Sequence, residues 1–491
     1  LFLLLNHLQQ RRSGAGQSGF TDSGGSTMTS SNSGTEAGAG TDGPPLQRSI
    51  GMVQMAFYGL GSMLGAGVYG LIGKAAGEMG NAIWLAFLVS MVAAMLTGLS
   101  YASIASRYPK AAGAAYVTQR AYRQSMLTYV VGLAVMCSGL TSVATQSRVV
   151  AANLQQLTFL DGVPVTLIAL GFLLLLAGIV FRGIKECMWL NIVCTTVEAF
   201  GLILVIVVGM SYWGSADLLE TPPPTDGGVG GITALLLMQG AVLTFFSFIG
   251  FEDSLNVAEE VKNPRKVLPW GIILAMVAAT LIYIAVSITA VSVVPWQELS
   301  SAAGPLTEVV ARAAPWFPPV AFLAITIFAV TNTALLNYVT ASRLAYGMAQ
   351  QGLLPRFLRK VHSTRRTPHM AVLMLLALIT GLALMGDITQ LASATVLLLL
   401  LVFAIVNSAL VILKLRPGEP TGGFEVPVFV PVLGAIVCSV LLVNRFVTGD
   451  WQAPMIAAGI LVGILGLYTL MRPQHVEEDD LAAVQQAEAA E

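Results

Sequence analysis

Between residues 50 and 471 the chain is a succession of apolar runs joined by short polar connectors. A helix needs about 20 apolar residues to cross the hydrocarbon core of a bilayer, and these runs have that length. A transmembrane barrel would instead show alternating segments of about ten residues, a pattern this chain lacks. Composition agrees: 55% of the residues are hydrophobic and 10% are charged, against roughly 25% charged in soluble domains. The net charge of −1 gives no ground for nucleic-acid binding. The prediction is an all-α integral membrane protein with the lipid bilayer as its surroundings. Twelve transmembrane helices are expected near 50–74, 82–104, 126–150, 164–181, 187–211, 233–257, 269–293, 318–345, 370–386, 390–413, 429–447 and 452–471. The twelve-helix domain then covers 49–471, between a Ser/Gly/Thr/Ala-rich N-tail (1–48), expected to be disordered and cytoplasmic, and an acidic C-tail (472–491). Leu1-Phe-Leu-Leu-Leu5 is shorter than a signal-peptide core, and Met28 is the expected native start.

Loop charge orients the bundle. Basic residues collect on alternate connectors: Arg107, Lys110, Arg120 and Arg123; Arg182 and Lys185; Lys262, Arg265 and Lys266; six between Arg343 and Arg366; Lys414 and Arg416. With Arg11, Arg12, Arg48 and Arg472 in the tails, only Lys74, Arg148, Arg312 and Arg445 of the 25 remain. Because Lys and Arg favour the cytoplasmic side, both termini are predicted to be cytoplasmic, in the cell membrane. On the other face, Leu306, Val309, Val310 and Ala313 fit one side of a short interfacial helix over the bundle.

Two of the runs are interrupted. The first contains Gly59-Leu-Gly-Ser-Met-Leu-Gly-Ala-Gly67; the sixth contains Phe245-Phe-Ser-Phe-Ile-Gly-Phe-Glu252, followed by Asp253, Ser254 and Asn256. Irregular backbone at membrane depth is tolerated only where it is buried in protein or lines a cavity. Paired breaks in two halves of a chain point to a transport site. A broken helix leaves carbonyls without partners at the end of one half and N–H groups without partners at the start of the next; the first attract cations and the second anions. Amides at Gly65, Ala66 and Gly67 suit a carboxylate. Carbonyls at Ser62 and Met63, and near Phe246 and Ser247, suit an ammonium. That combination matches a zwitterionic amino acid. Gly250 completes the candidate substrate-binding set of Ser62, Met63, Gly65, Ala66, Gly67, Phe246, Ser247 and Gly250.

A charge at mid-bilayer costs roughly 2.5–3.5 kcal/mol on the mildest scale. Glu198, within the fifth run, is therefore either a proton-responsive group or a packing anchor. Glu252 is placed to orient the second break, and Arg148 to snorkel towards the interface. With Phe246, Glu198 and Glu252 are the candidates for coupling or gating. The four cysteines and four histidines show no ligand spacing, so no metal or cofactor is expected.

At these residues the sequence resembles the amino acid–polyamine–organocation (APC) transporter superfamily. The resemblance rests on Gly59-Leu-Gly-Ser-Met-Leu-Gly-Ala-Gly-Val-Tyr69 and on the loop Tyr101-Ala-Ser-Ile-Ala-Ser-Arg-Tyr-Pro-Lys-Ala-Ala-Gly-Ala-Ala-Tyr116. It continues through Phe248-Ile-Gly-Phe-Glu252 with Ala258-Glu-Glu-Val-Lys-Asn-Pro264, and Ala341-Ser-Arg-Leu-Ala-Tyr-Gly-Met-Ala349 with Gly352-Leu-Leu-Pro355. It implies two inverted five-helix repeats with broken helices 1 and 6, plus two extra helices. It also implies alternating access around a site between spans one, three, six and eight. The carboxylate contacts then fall on Gly65, Ala66 and Gly67, the ammonium contacts near Met63, Phe246 and Ser247, and the occluding aromatic on Phe246. Ser103 stands where members often carry Glu, and Glu198 where some proton-coupled relatives carry Lys.

The expected function is secondary active amino acid transport, driven by a proton or sodium gradient or by exchange, without covalent chemistry. The alternatives are a transporter-like amino acid sensor and a polyamine transporter. Few acids are expected in the pocket, which favours a neutral substrate, while Glu198 and Asp253 leave a cationic one open. Thr331 and Thr333 have hydroxyls suited to a sodium site or to ordinary helix packing.

Overall fold

The computed structural model describes residues 48–110, 113–155, 162–223, 231–302, 304–350, 352–385, 388–447 and 452–471. The N-tail to residue 47, with Met28, and the C-tail from 472 lie outside the described residues. Regular structure among the described residues is helical, with one isolated bridge between Ile50 and Val261. Among the described residues, eight helical spans are long and apolar enough to cross a bilayer, and three shorter apolar helices accompany them.

The first run forms α1 (Met52–Leu64) and α2 (Ala66–Met79), divided at Gly65. Next come α3 (Ile83–Arg107), the short amphipathic α4 (Gly113–Tyr122), α5 (Ser125–Gln155), α6 (Val165–Arg182) and α7 (Ile184–Gly209). The sixth run is α8 (Ala234–Phe245), a 3₁₀ turn over Phe246–Phe248, and a four-residue turn of helix, α9 (Asp253–Asn256). Then follow α10 (Pro264–Val293), α11 (Trp296–Ser301), α12 (Pro305–Ala313), α13 (Pro319–Gln350), α14 (His369–Met385), α15 (Ile388–Leu415), α16 (Phe429–Val447) and α17 (Gln452–Met471). Leu306, Val309 and Val310 of α12 are buried, as their spacing predicts.

The bundle is apolar on its outside and buries polar side chains within an apolar core. Leu174, Phe200, Leu281, Val320 and Val443 are exposed, whereas Ser90, Asn191, Glu198, Asn332, Arg343 and Asn407 are fully buried. Lipid gives apolar side chains no reason to hide, so interhelical contacts use small residues and hydrogen bonds. The Ser90 hydroxyl donates to the Ala241 carbonyl (2.7 Å), tying α3 to α8. Asn407 Nδ2 donates to Thr97 Oγ1 (3.1 Å), tying α15 to α3.

The two broken runs are joined where their basic ends meet. The amides of Ser49 and Ile50 donate to the Glu260 carbonyl (2.8 and 3.0 Å), and the amide of Lys262 donates to the Ile50 carbonyl (2.9 Å). The lead into α1 and the turn after α9 are thus held backbone to backbone.

Candidate substrate-binding site

At the first break Gly65 has φ −60° and ψ −118°, outside the helical region, and α2 restarts at Ala66. At the second, Gly250 has φ +130°, a region that glycine enters readily. Its N–H, freed from the helix ladder, donates to Glu252 Oε2 (2.8 Å), so the carboxylate two residues on caps the break. A Cβ on Gly250 would lie 2.7 Å from the carbonyl carbon of Ser62, and one on Gly67 would lie 2.5 Å from the Cα of Ser247. The breaks therefore touch at two points where no side chain fits between the backbones.

A residue unnoticed in the sequence links them further. Tyr283 of α10, fully buried, sets its hydroxyl 2.6 Å from the Met63 carbonyl and 2.8 Å from the Ser247 carbonyl. One hydroxyl hydrogen serves both acceptors, which leaves lone-pair capacity on carbonyls read as ammonium contacts. The Ser247 hydroxyl is itself buried without a partner.

Beside this junction is a cavity of about 30 Å³, roomy enough for at least one water. Ser62, Met63 and Gly67 line it from the first break, and Phe246, Ile249, Gly250, Glu252 and Asp253 from the second. Helix α5 adds Ser138, Ser142 and Gln146; α13 adds Thr333, Asn337 and Thr340; α15 adds Thr395 and Leu399. Much of the wall is polar and already cross-linked. Ser62 Oγ donates to Asp253 Oδ2 (3.1 Å), Asn337 Nδ2 donates to Ser142 Oγ (3.1 Å), and Tyr58 and Thr340 share a hydroxyl hydrogen bond (2.7 Å).

Of the sequence candidates, Ser62, Met63, Gly67, Phe246, Gly250 and Glu252 line this one cavity. Ser247 lies against Gly67, and Gly65 lies against the Thr333 side chain; Ala66 opens α2 beside them. Two expectations change. The cavity carries two adjacent carboxylates, Glu252 and Asp253, and no Lys, Arg or His lines it among the described residues. Span ten, as α15, also joins the wall.

Glu198 lies elsewhere. It is fully buried in α7, where its Oε2 accepts from Asn332 Nδ2 (3.3 Å). Asn332 also donates to Thr195 Oγ1 (2.9 Å), which donates to Asn191 Oδ1 (3.0 Å). Glu198 Oε1, Asn332 Oδ1 and Asn191 Nδ2 have no protein partner. This cluster packs on α1 at Gly61, where a Cβ would lie 2.2 Å from Thr195 Oγ1. Glu198 was the sequence sign of this cluster; its partners Asn191, Thr195 and Asn332 emerge only in the folded bundle.

The basic end of the bundle is held by ion pairs. Arg343 and Glu260 form a fully buried pair (3.0 Å) between α13 and the turn after α9. Arg107 reaches Glu425 (2.5 Å), which Lys414 also contacts, and Ser103 Oγ donates to the same carboxylate (3.3 Å). Arg120 and Arg416 meet at Glu419. Partial burial opposes ionisation of Glu425, but hydrogen bonds from Arg107, Lys414 and the Gly422 amide outweigh it and hold its pKa at about 2. Among the described residues, no three His, Cys, Asp or Glu converge as metal ligands, and the four cysteines are unbridged.

A lipid-facing helical bundle with a buried polar cavity between two broken helices defines a multi-pass membrane transport protein. The chain belongs to the amino acid permease family, which it matches over residues 50–465. It is 26% identical over 422 residues to a branched-chain amino acid permease of Bacillus subtilis, covering 81% of this chain and 88% of that one. It is 28% identical over 418 residues to a methylthioribose transporter of the same species, covering 81% and 87%. It is 27% identical over 398 residues to a cationic amino acid transporter of Mus musculus, covering 76% and 61%. These relatives are named as permeases and transporters, not as enzymes.

Proposed function

We propose that this permease moves amino acids by alternating access, with the cavity between the breaks as its substrate site. The observation that carries the reading is the meeting of both breaks at one polar cavity. There the amides of Gly65, Ala66 and Gly67 face a substrate carboxylate, and the carbonyls of Met63, Phe246 and Ser247 face its ammonium. Such a site exploits groups that helix breakage leaves without partners. Phe246 occludes the site. Twelve spans, arranged as two inverted repeats of five plus two further helices, would carry it in the cell membrane, with both termini cytoplasmic on the positive-inside rule. Glu198, behind α1 with a carboxylate oxygen lacking a protein partner, is the candidate for coupling to a proton or sodium gradient.

One observation favours a cationic substrate over a neutral one: Glu252 and Asp253 are the only ionisable side chains among the described lining residues. A second positive group on the substrate would find two carboxylates and no competing cation.

The test is uptake into proteoliposomes of each labelled amino acid and of polyamines, with and without proton or sodium gradients. Uptake or exchange of at least one amino acid is expected, with cationic ones leading. A folded protein that moves none would refute the reading.

A further inference from the structure

A second cleft, of about 410 Å³, opens at the basic end of the bundle. Arg48 and Gln54 line it from the lead into α1 and its first turn, Lys185, Trp189 and Ile192 from the start of α7, and Lys262 from the turn before α10. Three cations from three separate stretches face one space, and no carboxylate lines it among the described residues. The neighbouring Glu186 lies against Gly183, where a Cβ would come within 2.9 Å of its Oε2. Grouping like charges is unfavourable unless an anion sits among them.

The apolar surroundings say which anion. Trp189, in the cleft wall, is 68% exposed, and Val53, next to Gln54 on α1, is 67% exposed. Tryptophan favours the level of lipid headgroups, and basic pockets between membrane helices hold anionic headgroups. A soluble anion gains nothing from Trp189 and Val53, whereas an amphiphile satisfies the charged and apolar parts together.

We infer that this cleft binds the phosphate-bearing headgroup of an anionic phospholipid. Arg48, Lys185 and Lys262 surround the phosphate, and Trp189 packs along the glycerol and upper acyl chain. Zwitterionic lipids fit less well, because their own cation meets three more. The bound lipid bridges α7 to the lead into α1, which is already hydrogen-bonded to residues 260–262. It therefore clamps α1, the half of the first broken helix that starts at the basic end.

The test uses the full chain in detergent, with lipid binding counted by native mass spectrometry. Short-chain phosphatidylglycerol, short-chain phosphatidylcholine and inorganic phosphate are compared. Phosphatidylglycerol is expected to bind roughly tenfold or more tighter than phosphatidylcholine. Lys185→Gln with Lys262→Gln should erase that preference, and Arg356→Gln, outside the cleft, should keep it. Undiminished preference in the double variant would overturn the inference. Displacement of phosphatidylglycerol by equimolar inorganic phosphate would also overturn it, in favour of a soluble anion. A second readout needs no charge variant. In nanodiscs, brominated phosphatidylglycerol should quench the wild-type protein more than brominated phosphatidylcholine does, and Trp189→Phe should remove the difference. A difference that survives Trp189→Phe would equally contradict the assignment.

Discussion

Gly67 and Gly250 matter because of what their missing side chains allow. Each lets the backbone of one broken run approach the other to within about one atomic contact. At Gly67 the obstacle is the Ser247 Cα, backbone that cannot rotate away. Gly67→Ala should therefore strain the junction, by roughly 1–3 kcal/mol if it behaves like other overpacked sites. Gly178→Ala, where nothing lies within 4 Å, should melt like the wild type. Thermal melts of the two purified variants check this; equal melting temperatures would show that the breaks do not press together. The glycine runs and their polar flanks were legible in the sequence, because irregular backbone at membrane depth leaves few other readings. Tyr283 was not legible. It sits in an ordinary apolar run, and its role appears only when α10 passes behind both breaks. Asp253 was visible as a residue, but not as half of an acidic pair in the cavity wall, because the neighbouring turn had to be placed first.

The elements around the site are pinned at their basic end by ion pairs. Helix α13 is pinned to the turn after α9 by Arg343 and Glu260, a pair with almost no solvent contact. Removing one partner leaves a buried charge and typically costs about 3–5 kcal/mol, whereas replacing both with apolar residues is often neutral. Glu260→Ala should thus fold poorly, and Glu260→Leu with Arg343→Met should recover most of the loss in a thermal melt. The connector between α15 and α16 is a second clamp, and pH exposes it. The Glu425 pKa is depressed from 4.5 to about 2. Its contribution is therefore fully present above about pH 4.5 and lost as pH falls through about 2. Hydrogen-exchange protection factors of residues 416–428, corrected for intrinsic rates, should fall over that window, and those of Glu425→Gln should be low at neutral pH already. Ser103 stands where the family resemblance implies a Glu. The structure gives the compensation: Glu425 brings a carboxylate to Ser103 and Arg107 from more than three hundred residues away, a distance that no local pattern reveals.

Across the whole molecule, the apolar windows read from the sequence fall on helices or on broken helix pairs. The reason is that hydrocarbon thickness and backbone satisfaction leave little choice of structure. What the windows could not supply was the wall of the cavity. The hydroxyls and amides of α5, α13 and α15 are scattered singly through apolar runs and converge only in the folded bundle. The central claim, that the paired breaks form the substrate site of an amino acid permease, is tested most directly by proteoliposome uptake measured in wild type and in Gly67→Leu, both verified as inserted and folded. Uptake of at least one amino acid by the wild type and none above background by Gly67→Leu is expected. Undiminished uptake by Gly67→Leu would contradict it.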